Sequence, residues 1–160
     1  MMKKTLILLY CFFMVMAADA QGRKARWNFS AKKIKPGFYE LHFTAEVEAG
    51  WNIYSQFTPK GGPLPTAITF NPNDNVLLGG KAKEVGFKRI KHEEVFGVDV
   101  HYFVEKVDFV QVIKLKAPLS PQGGSLPNGA REIVKGKINF MTCDKHQCIT
   151  DEVEFSIPVK

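Results

Sequence analysis

Two cysteines, Cys143 and Cys148, stand five positions apart in the segment FMTCDKHQCITD near the end of a 160-residue chain. The residue types and the spacing admit three chemistries. A bond between the sulfurs would be a structural staple. The same bond, opened and closed by protein thiols, would be a redox couple. With His146 the pair would be a partial set of zinc ligands, short of the four that structural zinc takes. Strand-like alternation leads into and out of CDKHQC, so a tight hairpin would set the two side chains face to face, which makes a disulfide sterically feasible. As a staple it is modest: closing a ring of about six residues removes unfolded-state entropy worth roughly 2 kcal/mol. Lys145 and His146 lie between the cysteines, and positive charge favours the attacking thiolate, whereas Asp144 opposes it. His42, His92 and His101 are too distant along the chain for the sequence to recruit them as ligands, and His146 reads equally as an exposed loop residue. On spacing alone the three chemistries stay open.

The elements that must position the pair read as β throughout. In FYELHFTAEV, Tyr39, Leu41, Phe43, Ala45 and Val47 alternate with polar residues, the period of a strand with one buried face. VDVHYFV places Val98, Val100, Tyr102 and Val104 on one face, and VDFVQVIKL places Val107, Phe109, Ile113 and Leu115 on one face. The phase flips near Glu105 and Lys106, which predicts a bulge or bend there. REIVKGKINF and VEFSIPV alternate too, and Pro158 predicts that the last strand is an edge or frays at its end. KPG, PKGGPLP, NPNDN, APLSPQGG and LPNG are turn signals, and no stretch has helical period with caps. Seven or more short strands divided by Gly/Pro turns predict an all-β, immunoglobulin-like β-sandwich, although the cysteine-tryptophan-cysteine spacing of antibody domains is missing. The longest loop candidate is SQFTPKGGPLP, a length that is often functional. GGPLP is no phosphate loop, because no helix follows it. No Ser-His-Asp or paired-carboxylate arrangement can be argued, and no internal repeat or second domain is visible.

Lys3 and Lys4, the apolar run TLILLYCFFMVMAA and the small-residue ADA site predict a secretory signal peptide over residues 1–20, too short for a membrane span. Cys11 would suit a lipoprotein, but Tyr10 before it is bulky where such a site takes a small residue. Cleavage after Ala20 removes 20 of the 160 residues and leaves one domain, 21–160, with two cysteines in an oxidising compartment. Loss of Lys3, Lys4 and Asp19 takes the net charge from +6 to +5. The lysines are spread along the chain, as on solvated loops and on edge strands protected from aggregation, so no nucleic-acid partner is expected.

Three stretches carry a resemblance to a known family: GWNIYSQ (50–56), KHEEVFGVDVHYF (91–103) and INFMTCDKHQC (138–148). In this order and spacing they resemble the periplasmic N-terminal domain of the thiol:disulfide interchange protein DsbD. The resemblance implies an immunoglobulin-like sandwich in which Cys143 and Cys148 are a redox couple. It implies that Cys148 forms the mixed disulfide with a partner. It makes Phe96 the aromatic that shields the pair, in a cap loop with Glu93, Glu94 and Gly97, and puts Tyr54 beside the active site, where His146, between the cysteines, also lies. It implies no cofactor and no metal. The partners it implies are a membrane-embedded electron donor, here a separate protein, and periplasmic thioredoxin-like proteins. The chain departs from the pattern in three places: four residues lie between the cysteines where the best-known members have five, Thr150 and Asp151 stand where paired prolines are frequent, and the cap loop is one residue shorter. The reading from another class is a non-catalytic secreted binding module with a structural disulfide. Under it Phe96 closes a turn, Trp51 and Tyr54 are core aromatics, and Glu93 and Glu94 are solvated charges.

Overall fold

The computed structural model describes residues 23–116 and 132–159. The expected leader and the turn signals APLSPQGG and LPNG lie outside them. Every regular element described is a strand: β1 (Ala25–Lys35), β2 (Phe38–Val47), β3 (Asn52–Tyr54), β4 (Ala67–Phe70), β5 (Val76–Leu78), β6 (Lys83–Val85), β7 (Lys88–Glu93), β8 (Val98–Phe103), β9 (Lys106–Leu115), β10 (Glu132–Cys143) and β11 (Cys148–Val159). They form two antiparallel sheets. One runs β1-β2-β9-β5 with β6 also on β9; the other runs β11-β10-β3-β8-β7 with β4 also on β10. This is the expected all-β sandwich of immunoglobulin-like type.

The period-two patterns do what burial of one face requires. Tyr39, Leu41, Phe43, Ala45 and Val47 of β2 are all buried, as are Val107, Phe109 and Ile113 of β9. Val134, Ile138 and Phe140 of β10 and Phe155, Ile157 and Val159 of β11 meet them from the other sheet. Gln111 also falls on the buried parity of β9. Its amide is satisfied by donation to the carbonyls of Gly80 and Val112, at 3.1 and 2.9 Å, which avoids the penalty of an unpaired buried polar group. The phase flip near Glu105 is a bend in which Glu105 takes φ 64°, and there the chain leaves one sheet for the other. Val47 N–H donates to the Glu105 carbonyl at 2.7 Å and fixes the crossing. β11 is an edge strand, the first of the two readings Pro158 allows, and β1 is the edge that carries the exposed Lys32, Lys33 and Lys35.

Candidate redox site

The site begins with the β10–β11 hairpin. Its ladder pairs twelve residues on each strand and ends at Cys143 opposite Cys148. The two sulfurs are bonded, with the Cα atoms 4.1 Å apart, so neither is a free metal ligand. The connecting turn is held by its own first residue. Asp144 N–H donates to the Gln147 carbonyl at 3.0 Å, and the Asp144 carboxylate accepts from the N–H groups of His146 and Gln147 at 2.7 and 2.8 Å. These two donors hold the Asp144 carboxyl below the usual range. Lys145 and His146 are exposed at the tip. The cysteines themselves are unequal: Cys143 is 3% accessible, and Cys148 is exposed.

Strand parity sets the face the pair occupies, and strand order explains the inequality: Cys143 lies on β10, with β3 beside it, and Cys148 on the edge strand β11. Val134, Ile138 and Phe140 of β10 point into the sandwich, which turns Met141 and Cys143 to the outer face of the sheet. There Cys143 packs with Tyr54 of β3 and Val100 of β8, bordered by Val98, Tyr102 and Met141. Tyr54 pairs with Tyr102 across the β3–β8 ladder. Lys91 and Glu93, on the outer face of β7, form an ion pair beside them, and the Lys91 ammonium lies 5.4 Å from the Tyr102 ring. Val98, Val100 and Tyr102 thus share a face, as their spacing predicts, but that face is the site and not the main core. Phe103 on the opposite parity fills the core, and the strand ends before Val104.

Burial, and secondarily the charge of Glu93, push the Tyr54 phenol from 10.0 up to about 12. The folded chain therefore keeps a proton that the unfolded chain loses above pH 10.0. The stability this supplies is complete below that pH and declines as pH rises toward the folded value. Urea midpoints at about pH 9 and about pH 11 should differ less for Tyr54→Phe than for the wild type.

The long loop runs from Ser55 to Thr66 and is tied down at both ends. Ser55 Oγ donates to both Glu84 oxygens at 2.9 Å, Gln56 N–H donates to Glu84 at 2.7 Å, and Thr66 Oγ1 donates to the Tyr54 carbonyl at 2.6 Å. Between these ties it passes over β8: a Cβ on Gly62 would lie 3.2 Å from Val98 Cγ2. Glu93 begins the β7–β8 turn, and the N–H groups of Phe96 and Gly97 donate to its carbonyl at 3.1 and 2.8 Å. Gly97 takes φ 63°, which a residue without Cβ adopts at little cost. Glu94, Val95 and Phe96 are exposed at the tip, so Phe96 is no core residue.

The structure therefore gathers Cys143, Tyr54 and Glu93 on one face, with Phe96 and Gly97 on the adjoining turn and His146 on the cysteine hairpin. His42 lies on the other sheet, bonded to Asp108 at 2.7 Å, and His92 bonds Asp99 at 2.8 Å. Sequence reading missed Met141, Tyr102 and Val100 as neighbours of Cys143. The signal for Met141 was its parity with Cys143, two residues on.

No protein-family model matches the chain, and no curated protein does. Among solved structures it is similar to the N-terminal periplasmic domain of ScsB from Proteus mirabilis, with TM-score 0.54 and 15% identity over 88% of this chain and 48% of that one. The chain thus spans about half the length of that ScsB chain. It is also similar to the DsbD N-terminal domain of Neisseria meningitidis in its reduced form, with TM-score 0.51 and 15% identity over 85% of this chain and 86% of that one. At this level of identity the likeness is one of architecture: the chain has the fold of a DsbD-type N-terminal domain.

Proposed function

We propose that this is a periplasmic thiol-disulfide interchange domain that passes reducing equivalents through Cys143 and Cys148 to protein partners. The observation that carries the reading is the inequality of the two cysteines: a bonded pair at a hairpin end, with one sulfur residue buried and the other open to solvent. Exchange needs access to one sulfur at a time. In the reduced state Cys148 thiolate attacks a partner disulfide, the partner's S–S bond breaks, and one partner sulfur leaves as thiolate. Cys143 thiolate then attacks Cys148, the mixed disulfide breaks, and the second partner thiolate is released. The partner gains two electrons and the pair returns to the disulfide. The likeness in fold to the ScsB and DsbD domains supports thioredoxin-like proteins as acceptors and a membrane-embedded donor to restore the thiols. The chemistry requires no cofactor.

Mixing the reduced protein with an oxidised thioredoxin-like protein tests this. Alkylation and gel shift should show one partner disulfide reduced for each Cys143–Cys148 bond formed. Partner and protein both unchanged would remove the reading.

The same reading makes the Glu93–Gly97 turn a cap. Its support is position: the turn rises from the strand pair whose outward residues surround Cys143. Phe96 would screen the pair from thiols that are not its partners, and Gly97 would let the turn swing when a partner docks. Phe96→Ala should speed alkylation of reduced Cys148 several-fold. Because Phe96 is 44% exposed, stability should change by less than about 1 kcal/mol. Unchanged alkylation in a stable variant would leave the turn with no gating role.

A further inference from the structure

We propose that the end of the sandwich opposite the disulfide is a docking surface for an anionic phospholipid membrane. β10 starts at Glu132, whose carboxylate accepts from the Asn73 and Asn75 side chains at 2.8 and 3.3 Å, and ends eleven residues later at Cys143. That run places the two ends roughly 36 Å apart. At the Glu132 end, register sets four outward residues in a row across four strands: Lys35, Phe38, Lys114 and Leu77. The Lys35 and Lys114 ammonium groups lie 4.4 and 5.5 Å from the Phe38 ring centroid. The ring braces two cations and neutralises neither. Lys116, two residues beyond Lys114, is exposed at the same end, as is Lys33, which stands opposite Tyr39 on the other face of the sheet. Ile34 is 49% and Leu77 46% exposed at the same end.

The local carboxylates do not cancel this charge. Glu40, Asp74 and Glu132 are the carboxylates at this end, fewer than the five lysines Lys32, Lys33, Lys35, Lys114 and Lys116; Glu40 is opposite Lys32 in register and 3.8 Å from His42. Asp74 stands in the exposed turn before β5. Among the described residues, the lysines and arginines in ion pairs are Arg23, Lys24, Lys88, Lys91 and Lys137, none of them in this set.

The chemistry of the row selects the partner. Phe38 is partly buried beneath two lysines, so it offers no free face for a nucleobase, which stacking recognition needs. No arginine stands in the row to grip a carboxylate in a bidentate pair. The row runs across four strands beside the Pro36–Gly37 turn between β1 and β2. Lysines on long stems with aliphatic side chains at the same height match the interface of a bilayer, where headgroups meet acyl chains. Docked end-on, the domain would hold Cys148 away from the bilayer, toward soluble proteins. The proposal stands on surface geometry and does not depend on the redox reading.

Co-sedimentation with vesicles tests it. The protein should bind vesicles of phosphatidylcholine with roughly one third phosphatidylglycerol, fail to bind pure phosphatidylcholine, and be released at about 0.5 M salt. Lys35→Glu/Lys114→Glu should lower the partition coefficient at least about 25-fold, since each lysine near such a surface contributes about fivefold. Lys83→Glu/Lys106→Glu changes net charge equally at other exposed positions and should lose less than about threefold. Melting temperatures of both variants should match the wild type, because all four side chains are exposed. Equal losses in the two variants, equal binding to neutral vesicles, or no binding would each overturn the proposal. Tight binding to immobilised polyglutamate without vesicle binding would assign the row to an acidic protein and overturn it too.

Discussion

Cys148→Ser should abolish disulfide exchange with a thioredoxin-like protein, and Cys143→Ser should turn the protein into a trap that stops at the mixed disulfide. The reason is the strand geometry at the end of β10. Cys143 is packed against Tyr54 and Val100 and is 3% accessible, so an incoming sulfur cannot line up behind it. Cys148, across the ladder at the first position of β11, is exposed. Exchange requires in-line approach of one sulfur to another, so the exposed residue makes or receives the first attack and the buried residue resolves it. Non-reducing gels should show a covalent adduct with Cys143→Ser and none with Cys148→Ser. The rate of partner reduction in the latter should fall by at least about 100-fold, to background. Adducts formed equally by both variants would mean that the burial difference does not govern the chemistry.

The second large effect is on stability. Gly136→Ala should lower it by about 3 kcal/mol, at the upper end of the cost of overpacking. Gly136 lies at the middle of β10, between Phe70 of β4 and Phe155 of β11 in register. A Cβ there would fall on the Thr69 carbonyl oxygen and 2.5 Å from Phe155 Cζ. Neither neighbour can retreat. The Thr69 oxygen is backbone. The Phe155 ring is held by Phe43, Phe70 and Phe29, with centroids at 4.8, 5.4 and 5.9 Å. Thermal unfolding should shift down by roughly 10 °C. A variant that melts with the wild type would show that the sheet can open at β4, contrary to this packing.

The sequence made the strands legible where one face is buried, because burial alone imposes alternation. Tyr39 to Val47 and the β9 residues appear on the faces their spacing predicts. The bend at Glu105 was legible too, since a change of sheet forces a change of phase. The cysteine hairpin could be read because its contacts are local: Cys143 and Cys148 are joined by a turn that Asp144 itself stabilises. What stayed hidden depends on pairing between distant segments. Val98, Val100 and Tyr102 were visible as one face. That this face looks outward onto Cys143 follows from β3 lying between β8 and β10, and no local signal carries that order. Met141 and Tyr54, 87 residues apart, become neighbours for the same reason. Lys35 and Lys114 likewise meet on Phe38 only once β2 has paired with both β1 and β9.

The most direct measurement is the reduction potential of the Cys143–Cys148 bond, by equilibration in thiol-disulfide buffers and alkylation of the free thiols. A pair that exchanges electrons with protein partners should titrate between about −120 and −270 mV, the range of known oxidoreductases. A potential below about −300 mV would identify a structural bridge and contradict the proposed function.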